Sequence, residues 1–105
     1  MNKKGRGVTL QDFLAEQLKD SAFRDAYREA SLAMSLAKKI TALRNKLRLT
    51  QAELARKMGT KQQVISRLES GDFEGFTLKT LEKIAIVTHT QLEIQFKPRK
   101  LRKAS

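Results

Sequence analysis

The stretch Thr50–Gly71, TQAELARKMGTKQQVISRLESG, restricts what this chain can fold into more than any other. It carries two apolar stripes at helical spacing with a break between them. Thr50 followed by Glu53 makes a capping box: the Thr hydroxyl accepts from the Glu53 N–H, and the Glu carboxylate accepts from the Thr50 N–H. Leu54, Ala55 and Met58 give the first helix one apolar side. Gly59 stands where a helix ends in a residue that tolerates positive φ. Thr60, with Gln63 three residues on, is expected to cap a second helix with Val64, Ile65 and Leu68 inward, and Ser70-Gly71 ends it. Ala55 is small where the two helices would cross, and the turn is too short for antiparallel packing. Two short helices crossing steeply follow from that spacing.

The outer side of the second helix is unusual. Gln62, Gln63, Ser66 and Arg67 face away from Val64, Ile65 and Leu68, and none is acidic. A solvated helix face ordinarily mixes Glu with Lys for support between neighbouring turns. Amide, hydroxyl and guanidinium groups are instead the chemistry that reads base edges. A plain helical hairpin with a polar outer face is the alternative.

The run LTQAELARKMGTKQQVISRLESG resembles the Cro/C1-type (XRE) helix-turn-helix family, in its Leu-Thr-Gln opening, Glu-Leu-Ala, turn glycine and Ser-Arg-Leu-Glu-Ser-Gly close. The resemblance extends from Leu32 to Phe96. It implies an all-α, five-helix domain whose second motif helix enters the DNA major groove while the first lies across the backbone. Gln51, at the start of the first motif helix, is then placed to hold a phosphate, helped by the free N–H groups there. Gln62 and Gln63 fall where family members place base-reading side chains, and Gln suits adenine, which offers N7 as acceptor and N6 as donor. Ser66 and Arg67, one turn on, reach bases or phosphates, and Lys61 is expected at a phosphate. Leu54, Ala55, Gly59, Ile65 and Leu68 form the motif's core.

Charge agrees with a polyanionic partner. The net charge is +11, and its distribution is uneven. Met1 to Ala30 is nearly neutral, with six basic and five acidic residues. Ser31 to Arg67 holds nine basic residues and one acid, Glu53. Leu68 to Phe96 is net acidic, and Lys97 to Ser105 holds five basic residues and no acid. A basic membrane anchor would set large apolar residues opposite such charge, and none stands outside the expected core. The 105 residues suit one domain with a modest core. With no Cys and one His, His89, the chain offers few candidates for metal or nucleophile–base chemistry, and no cofactor is expected. His89 reads as a loop residue. No paired carboxylates or Gly-rich phosphate loop point to an enzyme. No apolar run is long enough to span a membrane or to act as a secretory leader, and the composition fits a reducing cytoplasm.

In chain order, the basic start MNKKGRG is expected to be disordered. Thr9 caps a helix bearing Leu10, Phe13, Leu14 and Leu18, with a break or recapping at Asp20-Ser21 before Phe23, Tyr27 and Ala30. This segment holds Phe13, Phe23 and Tyr27, half of the six aromatics. It either packs on its own domain or docks a protein partner as a helix in a groove. Leu32 to Leu47 reads as one amphipathic helix with Leu32, Leu36, Ile40, Leu43 and Leu47 inward and Lys38, Lys39, Arg44 and Lys46 outward. Phe76 is expected to plug the core, and a helix from Thr77 to about Val87 turns Leu78, Leu81, Ile84 and Ala85 inward. Gln91 to Lys97 alternates cleanly, with Leu92, Ile94 and Phe96 on one face, which predicts a β-strand ended by Pro98. A lone strand leaves its backbone groups unpaired, so pairing with the same strand of a second copy is expected. The organisation is an extension over residues 1–30, a DNA-binding and dimerisation domain over 31–97, and a basic tail over 98–105.

Within the family, the chain looks like the antitoxins of HigBA/RelBE-like type II toxin–antitoxin modules. The likeness lies in L-x-E-Q-L-K-D-x-x-F-R-x-x-Y at Leu14 to Tyr27, the ALAKKI helix and the L-x-I-x-F strand. The resemblance implies a homodimeric repressor of its own operon that binds an inverted repeat and neutralises a small RelE/HigB-type RNase toxin. Phe13, Leu14, Phe23 and Tyr27 are the candidate docking residues. The alternatives are a stand-alone or phage-type repressor, or a helical protein that binds RNA by charge alone.

Overall fold

The computed structural model describes residues 7–99. The first six residues and the tail cations Lys100, Arg102 and Lys103 lie outside the described residues. Five α-helices follow one another: α1 (Leu10–Gln17), α2 (Ser21–Lys46), α3 (Gln51–Met58), α4 (Gln62–Glu69) and α5 (Leu78–Val87), with a short 3-10 turn at Phe73–Gly75.

Local chemistry sets most of the boundaries. Thr9 and Thr50 each complete a capping box, with Asp12 and Glu53 respectively. Asp20 caps α2 through the Ala22 N–H, and Thr77 caps α5 through the Thr80 N–H. Gly59 ends α3 at φ +72°, as its position in the sequence predicts. Gly71 sits at φ +89°, a backbone conformation that favours glycine, and a Cβ there would stand 3.1 Å from the Met34 methyl.

The core is built by α2 to α5 around Ile40, Leu54, Ala55, Met58, Ile65, Leu68 and Ile84, with Leu36, Leu43, Leu49, Val64, Phe76, Leu81 and Val87 packed at its edge. Of the expected motif core, Leu54, Ala55, Ile65 and Leu68 lie in it and Phe76 packs at its edge, whereas Gly59 is exposed at the end of α3. The face that α2 buries differs from expectation. Leu32 is 62% exposed and Leu47 40%, whereas Ala33 and Ala37 are buried with Ile40. The face is turned about one residue from the leucine stripe, because two alanines let α2 lie close against α4 and the 3-10 turn. Leu78, expected inward, is also exposed.

From Gly7 to Leu32 no described residue is buried, so α1 and the first half of α2 project from the core as an arm. The Cα radius of gyration is 18.4 Å, against about 13 Å for a compact domain of this length.

Among the described residues there is no strand. Residues 91–97, expected to be one, form neither helix nor strand. The reason is physical: a strand needs a neighbour to complete its hydrogen bonds, and a single chain supplies none here. Leu92 is half-buried, while Ile94 and Phe96 are 61% and 97% exposed. His89 closes α5 in the left-handed region at φ +58°, exposed. No helix among the described residues is long and apolar enough to cross a membrane.

Candidate nucleic-acid interface

The candidate surface begins with α4. Ile65 and Leu68 are fully buried and fix its rotation, so Gln62, Gln63, Ser66 and Arg67 are all turned to solvent along one face. Lys61, also exposed, occupies the N-cap position but contributes no side-chain cap. Thr60, the expected cap, does not serve as one. Its N–H is bonded to the Ala55 carbonyl at 2.9 Å, closing α3, and α4 starts one residue later. The first N–H groups of α4 therefore have no side-chain acceptor and face outward with Gln62 and Gln63. Arg67 has only a loose ion pair to Asp72, at 3.5 Å with 72% of its side chain exposed.

Gln51 lies beside this face at the start of α3, half-buried. Its Nε2 donates to Glu69 Oε1 at 3.0 Å, and its Oε1 accepts from Gln62 Nε2 at 3.5 Å. Glu69 is in turn held by Arg44, whose Nε and Nη2 donate to Oε2 and Oε1 at 2.7 and 2.8 Å. Arg44 Nη1 also donates to the Leu49 carbonyl at 2.9 Å, bracing the turn into α3. The two side chains are 14% and 7% exposed. Arg44 was expected to point outward among the surface cations. It instead joins α2 to the end of α4.

The pair's electrostatics are consistent with a permanent charge on both partners. Burial alone would raise the Glu69 pKa, but hydrogen bonds from Arg44, Gln51 and Thr41 and the Arg44 charge together hold it below the usual carboxylate range. The hydrogen bond to Glu69 raises the Arg44 guanidinium further, against the opposing effect of burial. Glu53 is lowered chiefly by the Thr50 N–H it accepts.

The sequence carried one overlooked signal for this pair. Glu69 is the only acid on α4 and stands at its C-terminal end, where the helix dipole disfavours negative charge. An anion there calls for a cationic partner.

The candidate docking residues lie on α1 and the first half of α2. Phe13 is 52% and Tyr27 43% exposed, Leu14 and Phe23 are half-buried, and the Phe23 and Tyr27 rings lie 6.1 Å apart, tilted by 34°. Among the described residues no cluster of His, Cys, Asp and Glu is arranged to hold a metal ion.

The model of the helix-turn-helix family matches residues 40–94, from the core end of α2 through α5. No curated protein and no solved structure matches the chain.

Proposed function

The chain belongs to the helix-turn-helix family, and from that premise we propose that it is a sequence-specific DNA-binding repressor with α4 seated in the major groove. The observation that carries this reading is the outer face of α4: four exposed side chains able to donate or accept, no acid among them, and a rotation fixed by Ile65 and Leu68. Gln62 and Gln63 read bases, Ser66 and Arg67 reach bases or phosphates, and Gln51 and Lys61 hold phosphates. No enzymatic step is assigned to the protein, and it acts in the cytoplasm on nucleoid DNA.

The repressor works as a homodimer on an inverted repeat, with the segment Leu92, Ile94 and Phe96 pairing across the two-fold axis. The exposure of Ile94, Phe96 and Ile86 in the single chain supports this. It is, further, the antitoxin of a type II module, and its arm docks a small RNase toxin through Phe13, Leu14, Phe23 and Tyr27.

The test of the DNA reading is a salt titration of Gln63→Ala on a selected operator and on scrambled DNA. Gln63 is uncharged, so its loss is expected to cost about 1–3 kcal/mol on the operator and to leave scrambled DNA and the salt slope unchanged. Equal weakening on both DNAs would mean that α4 is not in the groove, and charge-driven RNA binding becomes the better account. Ile94→Lys is expected to give a monomer in sedimentation, and a monomeric wild type at micromolar concentration overturns the dimer.

A further inference from the structure

Helices α2 to α5 all close with the same pair of backbone bonds. At each end one N–H reaches a carbonyl five residues back, and the N–H just before it reaches a carbonyl three residues back. On α2 these are Leu49 N to Arg44 O at 3.1 Å and Arg48 N to Asn45 O at 2.9 Å. The pattern repeats on α3, α4 and α5 with Gly59, Gly71 and His89 in the place of Arg48. It calls for the left-handed region, and Arg48, Gly59, Gly71 and His89 sit at φ +59°, +72°, +89° and +58°. Glycine takes this conformation freely, and histidine enters it more readily than most side chains. Arginine has no such excuse. Arg48 is exposed, and among the described residues it has no ion pair and no side-chain hydrogen bond. A cation favours a helix C-terminus, but α2 already has Arg44 and Lys46 in its last turn. What the position offers is placement. Arg48 stands three residues before Gln51. The turn that carries it is tied through the Leu49 carbonyl to Arg44, whose Nε and Nη2 hold Glu69 at the end of α4.

We propose that Arg48 holds a DNA phosphate, extending the interface from Gln51 back to the turn between α2 and α3, and that it stands in glycine's place for its cation and not for the fold. A guanidinium presents paired N–H groups that match two phosphate oxygens. A contact of this kind carries no sequence information, so it strengthens binding to every duplex alike. The inference rests on the reading of α4 as a DNA-binding helix.

The experiment combines urea unfolding with a salt titration of binding to a selected operator and to scrambled duplex, for full-length wild type, Arg48→Gly, Arg48→Asn and His89→Gly. Glycine relieves the backbone, and asparagine keeps a Cβ while tolerating the left-handed region, so both remove the cation without straining the turn. Each is expected to weaken operator and scrambled DNA equally, by about fivefold per bound protomer near 0.1 M salt. The slope of log K against log salt is expected to flatten by about one per protomer. Arg48→Gly is also expected to raise the urea midpoint. His89→Gly is expected to raise it too, while leaving DNA binding unchanged. If wild type binds neither duplex, the DNA-binding reading falls and this proposal with it. If wild type binds and both Arg48 variants match it in affinity and slope, only this proposal is overturned. A loss confined to the operator, with the slope unchanged, makes Arg48 a base contact and overturns it as well. A lower midpoint in both Arg48 variants assigns the arginine to the fold, and weaker DNA binding in His89→Gly assigns the effect to the backbone; either overturns the proposal.

Discussion

Helices α1 and α3 begin with the same device and are both eight residues long. Each is opened by a threonine capping box, with hydroxyl-to-N–H distances of 3.0 Å at Thr9 and at Thr50. Yet α3 buries Leu54, Ala55 and Met58, and α1 buries nothing. Isolated helices of this length are marginal in water even with good caps. A cap therefore marks where a helix begins, while burial decides whether the helix belongs to the cooperative fold. One helix belongs to the core, and the other lies outside it.

The largest expected effect sharpens this contrast through charge. Glu69→Ala leaves the largely covered Arg44 without its carboxylate and is expected to cost up to about 3–5 kcal/mol in urea unfolding. Asp25→Ala, which breaks an exposed pair with Arg28 in the arm, is expected to cost at most about 0.5 kcal/mol. Equal costs would break the distinction. The pH dependence has a defined sign. Because the Glu69 pKa is lowered in the folded state, its contribution is complete above the ordinary glutamate value of about 4.3 and is lost as pH falls through the folded value. Acid unfolding of Glu69→Gln is expected to be shallower than that of wild type over that window.

Next in size is packing. Leu54→Ala empties a fully buried site and is expected to cost about 2–5 kcal/mol. Leu14→Ala, half-buried on α1, is expected to cost under about 1 kcal/mol, since little of its apolar area leaves water. A large cost at Leu14 would place the arm inside the core.

These contrasts also explain what was legible in the sequence. The two motif helices, Gly59 and the inward side of Ile84 and Ala85 follow from spacing and backbone chemistry within a few residues. The Thr60 cap did not form: Thr60 belongs to the close of α3 through its N–H, and the N-cap position of α4 falls on Lys61. The buried face of α2 was misplaced because leucines outweigh alanines in any hydropathy reading, whereas close helix packing selects Ala33 and Ala37. Arg44 and Glu69 are 25 residues apart, so only the misplaced acid at the end of α4 hinted at the pair. The segment at residues 91–97, expected to be a strand, has the alternation of one, but alternation cannot supply the neighbouring strand that hydrogen bonding requires.

A smaller effect is expected from removing the arm altogether. A chain beginning at Ser31 is expected to bind the operator within about threefold of the full chain, because the cut segment carries neither the motif's phosphate contacts nor its base contacts. It is expected to lose toxin neutralisation. A truncated chain that still neutralises a cognate toxin removes the docking role from Phe13, Leu14, Phe23 and Tyr27.

The smallest effect is the most direct test of the opening comparison, because it changes the same atom in both helices. Thr50→Ala removes the hydroxyl that accepts the Glu53 N–H at 3.0 Å. Helix α3 unfolds only with the core, so the loss appears in global stability, at about 1 kcal/mol. Thr9→Ala removes the equivalent bond to the Asp12 N–H, but α1 can fray while the core stays folded. Its loss is therefore expected to change global unfolding by no more than about 0.2 kcal/mol, while amide exchange in α1 quickens by about fivefold, the equilibrium equivalent of a lost cap. Native-state hydrogen exchange on both variants reads the two effects together. If Thr9→Ala instead lowers global stability as much as Thr50→Ala, the arm and the core unfold as one unit, and the difference in burial does not divide the molecule.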